Sequence, residues 1–133
     1  MRSVGSKGVG DIYNKKRNKR EIGKQYEQVA SQYLQQKGYE ILEYNYYCKK
    51  GEIDLIARQE GYLVFVEVKY RNNQNNGYGM EAITVRKQNR IKQSALFYLM
   101  ERQLSMEQPI RFDVVSIDGD KISLIPNAFP YYC

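Results

Sequence analysis

The chain has 133 residues, 42% of them hydrophobic and 27% charged, with a formal net charge of +6, two cysteines and no histidine. That length suits one domain with a core of useful size. The missing histidine excludes Ser-His-Asp and Cys-His nucleophilic catalysis and His-ligated metals, while Cys48 and Cys133, far apart and outside any CxxC pattern, signal neither a disulfide framework nor a zinc site.

The charge excess lies at the start. Arg2, Lys7, Lys15, Lys16, Arg17, Lys19 and Arg20 face Asp11 as the sole acid of residues 1–20, and the rest of the chain balances. Residues 1–20 read as a basic flexible arm on a neutral domain of residues 21–133, an arrangement suited to nucleic acid, with a solvated tail as the bland alternative. No apolar run is long enough to span a membrane and the basic start lacks the apolar segment of a secretory signal. The expectation is a cytoplasmic protein with no membrane partner.

From about Glu21 the pattern turns helical: Tyr26, Val29, Ala30, Tyr33 and Leu34 repeat at helical spacing, and Gly38 supplies the stop. Glu27 falls at the margin of that stripe, where a carboxylate either reaches outward to solvent or is wanted inside. Tyr39–Cys48 reads as a strand, as do Glu52–Arg58 and Tyr62–Tyr70 on either side of Gln59-Glu60-Gly61. Arg71–Gly79, with its Asn and Gly residues, reads as a loop. A second helix begins after Thr84 as N-cap, with Ile91, Ala95, Tyr98 and Leu99 on its apolar side. Arg86, Lys87 and Arg90 crowd its first turns, where the helix dipole gains nothing from cations, so they mark either a solvated face or a phosphate contact. Ile110–Ile117 and Lys121–Ile125 then form a hairpin about Asp118-Gly119-Asp120. The thirteen tyrosines read mostly as packing residues, with Tyr70 and Tyr78 singled out for base stacking.

A hairpin centred on Glu60-Gly61 lays Asp54 opposite Glu67 and Glu52 opposite Lys69, all four on one face. The other face receives Ile53, Leu55, Ala57, Val64, Val66 and Val68, while Ile56, Leu63 and Phe65 share the acidic side. Carboxylates directly opposite one another destabilise a sheet unless a cation lies between them. That cation is either Lys69, in a salt-bridge cluster, or a hard divalent ion held by Asp54, Glu67 and backbone oxygen.

Asp54 followed by Glu67-Val68-Lys69 resembles the D…E-x-K core of the PD-(D/E)XK nuclease superfamily. GEIDLIA, VFVEVKYR, EAI with its basic helix, RFDVVSI and NAF resemble, in order and separation, the YraN family of predicted endonuclease-like proteins. The resemblance covers roughly Gly23 to Phe129, with Tyr70 where a Thr is usual. It implies an α/β fold with a restriction-endonuclease-like αβββαβ core, a central mixed sheet flanked by helices, related to archaeal Holliday-junction resolvases. By the same resemblance Asp54, Glu67 and the Val68 carbonyl would hold the metal, Lys69 would be the catalytic lysine, and Glu27 the acid from the first helix.

The reading that follows is a nuclease dependent on Mg²⁺ or Mn²⁺, hydrolysing phosphodiester bonds in DNA, structured or branched DNA above all. Lys15, Lys16, Arg17, Lys19, Arg20, Arg71, Arg86, Lys87 and Arg90 would bind the nucleic acid. A homodimer is a further expectation. The rivals are a non-catalytic nucleic-acid-binding module and a protein-interaction domain with a purely structural acidic patch.

Overall fold

The computed structural model describes residues 9–71 and 83–131, with side chains described from residue 19 onward. The elements run α1 (Val9–Gln36), β1 (Glu40–Cys48), β2 (Gly51–Gln59), β3 (Tyr62–Arg71), α2 (Val85–Glu101), β4 (Ile110–Asp118) and β5 (Lys121–Ile125). Each expected element is present. The one boundary that moves far is the start of α1, which lies at Val9 instead of near Glu21. Residues 9–20 are therefore helical and continuous with α1. Hydrophobic periodicity could not reveal this, because a polar extension has no apolar stripe, yet adding residues to an existing helix is far easier than nucleating one. Residues 1–8, most of the expected loop after Arg71 (with Tyr78) and Cys133 lie outside the described residues.

The strands form one mixed five-stranded sheet in the order β1-β2-β3-β4-β5. Only β3 and β4 pair in parallel, because α2 carries the chain across between them; the other neighbours are antiparallel. The middle strands are buried on both sides, as the unbroken run Leu63-Val64-Phe65-Val66 and the stretch Phe112–Ile117 require.

Alternation along β3 sorts the core into two layers. Val64, Val66 and Val68 pack with Ala30 and Leu34 of α1, together with Leu55 and Ala57. Leu63 and Phe65 pack with Ile91, Ala95, Tyr98 and Leu99 of α2, together with Ile56. The helices thus cover opposite faces, and most of the expected wall is present. Two residues depart from expectation. Ile53 joins the α2 layer and not the α1 layer, and Val29 remains 40% exposed, beyond the edge of the contact that Ala30 and Leu34 make. Thr84 caps α2 as expected, its hydroxyl accepting from the Lys87 amide at 3.1 Å.

Two of the quoted motifs serve the fold. Asp113 is buried, and its carboxylate accepts from Tyr39 Oη at 2.6 Å, from Arg111 at 2.9 Å and from the Asn127 amide at 2.9 Å. Phe129 stacks on Phe112 with ring centroids 5.0 Å apart. RFD on β4 and NAF after β5 therefore form one latch, in which a buried anion is fully hydrogen-bonded and an aromatic pair is closed beside it. The burial and the anion beside it push the Tyr39 hydroxyl far above its usual range.

The tyrosines divide more evenly than expected. Tyr39, Tyr46 and Tyr98 are buried, whereas Tyr44, Tyr47, Tyr62 and Tyr70 are exposed in part. Three of the exposed group have packing partners nonetheless. Tyr44 Oη bonds Ser31 Oγ, Tyr62 lies under the Arg111 guanidinium, and Tyr70 stacks on Tyr26 with centroids 4.2 Å apart. Tyr70 is thus a packing residue of α1 and β3.

Candidate active site

The hairpin register is the one that symmetry about Glu60-Gly61 dictates, running from Gln59↔Tyr62 to Leu55↔Val66. Beyond Leu55 the described ladder between β2 and β3 ends. There the Asp54 side chain takes over, with Oδ2 accepting from the Val68 amide at 2.8 Å. A backbone donor that pairing would otherwise satisfy is instead used to anchor a carboxylate.

The parting of the strands alters the expected pairing. Glu52 is not laid against Lys69; it pairs with Tyr47 on β1. The chain also changes face here, since Leu55 belongs to the α1 layer and Ile53 to the α2 layer. Regular alternation would put both on one side. Because of the reversal, Glu52 and Asp54 meet Glu27 of α1, and carboxylate oxygens of the three lie within 4.8 Å of one another. Sequence reasoning identifies Glu27 and Asp54 as site residues and misses Glu52 as a member of this group. The available signal is its placement two residues before Asp54.

Glu67 shares the cleft with Asp54 and its charge acts on that carboxyl, and its Oε2 also lies 3.1 Å from Lys87 Nζ on α2. Sequence position offers a solvated face or a phosphate contact for Lys87 and not this ion pair; α2 brings it across the sheet face to which Glu67 points. Lys69 and the Val68 backbone flank an adjoining hollow with Glu67, Thr84 and Lys87.

The cleft, about 370 Å³, has Glu52, Asp54 and Glu67 on one wall and Lys87 and Arg90 on the other, with Tyr47 at its rim. Gly51 lets the β1–β2 turn lie beside α2 in a backbone conformation that L side chains rarely adopt. Its φ of 147° suits no other residue well, and an added Cβ would stand 3.4 Å from Ser94 Oγ. Lys19, Arg20 and Arg86 are exposed and Arg71 is half-buried; the side chains of Lys15, Lys16 and Arg17 lie outside the described residues.

The electrostatics follow from this crowding. Burial, then Glu67, pushes the Asp54 carboxyl well above the usual carboxylate range, opposed by the Val68 amide and reinforced by Glu27 and Glu52. Burial raises Glu27 as well, against the hydrogen bond from Asn45 that favours its ionised form. Glu52 is raised by burial and by Glu67, with Lys87 and Arg20 opposing. Acids that resist ionising together form a site with room for positive charge.

The donor set is oxygen only. Three carboxylates at this separation suit a hard divalent cation such as Mg²⁺ or Mn²⁺ and lack the nitrogen or sulfur ligands of zinc or copper centres. No helix among the described residues is long and apolar enough to cross a membrane.

Comparison with known proteins agrees in extent with the fold. A "UPF0102 protein" of Lachnoclostridium phytofermentans is 50% identical over 115 residues, which is 86% of this chain and 98% of that protein. "UPF0102 protein lpg2994" of Legionella pneumophila is 45% identical over 115 residues, 85% of this chain and 98% of that protein. "UPF0102 protein VFMJ11_2324" of Aliivibrio fischeri is 46% identical over 117 residues, 86% and 95% respectively. The model of the family described as "Uncharacterised protein family UPF0102" matches residues 26–117, from the helix carrying Glu27 into β4, and the chain belongs to that family.

Proposed function

We propose that this chain is a divalent-metal-dependent nuclease that hydrolyses phosphodiester bonds in DNA, structured or branched DNA above all, on a restriction-endonuclease-like core of the PD-(D/E)XK type that the YraN resemblance implies. The observation that carries the reading is the meeting of Glu27, Glu52 and Asp54 within 4.8 Å at a cleft whose facing wall is Lys87 and Arg90. Glu27, Glu52 and Asp54 would hold Mg²⁺ or Mn²⁺, with Glu67 and the Val68 carbonyl as the further donors that the resemblance implies. When bound, such an ion supplies Lewis acidity to a phosphoryl oxygen and to water.

The chain's own groups do the remaining work. Arg90 and Lys87 offer cations to a phosphate lying along the cleft, and Lys69 offers an ammonium to the charge that grows on the phosphoryl oxygens. The Val68 amide keeps Asp54 oriented and favours its ionised form. Arg20, whose charge already acts on Glu52, extends the basic surface along α1 away from the cleft.

The test is cleavage by the pure protein of branched and linear DNA with Mg²⁺ and with Mn²⁺. Asp54→Asn, Glu27→Gln, Glu67→Gln and Lys69→Ala should each lower cutting by at least about a hundredfold, the scale on which one charge-stabilising group acts, while DNA binding persists. A second reading, a nucleic-acid-binding module without catalysis, is favoured by one contact: Lys87 already compensates Glu67 without an ion. DNA binding with no cutting in either metal would select it.

A further inference from the structure

The carboxylate group joins Glu27 of α1 to Glu52 and Asp54 of β2, and a neighbour on β1 reaches the helix-borne member. Asn45 lies on β1 between Tyr44, which pairs with Leu55, and Tyr46, which pairs with Ile53, so it stands opposite Asp54. Its Nδ2 donates to Glu27 Oε1 at 2.9 Å. Its backbone is left-handed, with φ 53°. That conformation changes the face of the strand, since Tyr44 reaches Ser31 on α1 whereas Tyr46 packs in the α2 layer. The reversal in β1 at Asn45 therefore matches the reversal in β2 at Asp54, and both occur at the level of the acids.

We propose that Asn45 is a positioning residue for the divalent-ion site, holding the Glu27 carboxylate in the orientation in which it joins Glu52 and Asp54. The inference rests on the metal reading above. Glycine would serve a left-handed backbone as well or better, but it has nothing with which to reach Glu27. An ionised carboxylate only accepts, so it is the amide nitrogen that must face it. The neutrality of the amide is also significant. A Lys or Arg at this position would order Glu27 equally well but would cancel the charge that attracts a cation, as Lys87 does for Glu67. An amide fixes the carboxylate and leaves its charge in place.

The experiment is calorimetric titration of the full chain with Mn²⁺, comparing wild type, Asn45→Gly, Glu27→Gln and the double variant, with melts in EDTA to establish folding. Asn45→Gly keeps the backbone conformation and removes the amide. Mn²⁺ should bind about 10–100-fold more weakly, the usual effect of removing a partner of a ligand. In the Glu27→Gln background the same change should alter affinity by less than about twofold, because residues acting through one contact are not additive. Equal Mn²⁺ affinity for wild type and Asn45→Gly would overturn the positioning role and leave the metal reading standing. A wild type that takes up no Mn²⁺ would overturn both. Should Asn45→Gly not fold, the Asn45 side-chain amide resonance of the wild type decides. It should move during a Mg²⁺ titration with the midpoint of a parallel calorimetric Mg²⁺ titration, and an amide that stays still while Mg²⁺ binds would refute the proposal.

Discussion

Asp54 has two opposing requirements at the residue scale: its Oδ2 needs the Val68 amide, and its charge is resisted by burial and by Glu67. A carboxyl raised in the folded state binds its proton more tightly there than in the unfolded chain. Its contribution to stability is full below the ordinary carboxylate value and is lost as pH rises through the window up to the raised value. In EDTA the melting temperature should therefore fall as pH rises through that window, and Asp54→Asn should flatten the fall, with Glu27 and Glu52 supplying what slope remains. At neutral pH the variant should melt no lower than wild type in EDTA, since an amide oxygen can still accept from Val68. The stabilisation by Mg²⁺ or Mn²⁺, about 2.7 kcal/mol at a hundredfold excess over the dissociation constant, should vanish. A variant that melts lower in EDTA, beside a wild type indifferent to divalent ions, would assign the acids to a structural ion-pair cluster.

At the scale of elements, the sheet is secured at two places by different means. The latch of β4 depends on Asp113, whose carboxylate satisfies Tyr39, Arg111 and the Asn127 amide. Replacing it with Ala takes the anion from the half-buried Arg111 guanidinium, which keeps Tyr39 and Gln59, and the acceptor from the Asn127 amide, and should cost about 3–5 kcal/mol in urea unfolding. The β1–β2 turn depends on Gly51 against α2. Gly51→Ala should cost about 1–3 kcal/mol through backbone strain, and Ser94→Ala should not restore it, because the cost lies mainly in φ and not in the space beside Ser94. Full recovery in the double variant would show that crowding, not conformation, requires the glycine.

For the whole molecule, the basic excess of the first twenty residues lies largely along the start of α1, a helix that carries Glu27 further on. On the proposed nuclease reading, a helix that bears both the cations and a site acid would give nucleic acid a path toward the cleft. Neutralising Lys19 and Arg20 together should weaken DNA binding and flatten the log–log dependence on salt by about 0.9 for each phosphate that is no longer neutralised. An unchanged slope, measured on duplex DNA by fluorescence anisotropy, would separate these cations from the bound strand.

Much of this architecture is written in local pattern. The alternation of β3, the symmetry about Glu60-Gly61 and the Thr84 cap are properties of adjacent residues, so the strand order of the hairpin and the facing of Leu63, Val64, Phe65 and Val66 could be read without coordinates. Glu27 and Asp54 were conspicuous for a related reason, as carboxylates at the margin of an apolar stripe and inside an apolar strand, but pattern left their roles open and only the family resemblance assigned them to the site. Their meeting, and the inclusion of Glu52, could not be read. Alternation assumes an unbroken pleat, and the paired reversals at Asn45 and Asp54 break it where two strands part, moving Ile53 to one layer and Glu52 toward α1. Lys87 reaches Glu67 only because the parallel crossover of α2 sets one helix turn above one strand end. Sequence by itself determined the order and type of the elements, their bounds apart from the start of α1, and which way most of their residues face, because those follow from backbone periodicity. Only the tertiary structure decided which acids share an oxygen-lined site and which one is neutralised, because those depend on where separate elements come to rest against one another.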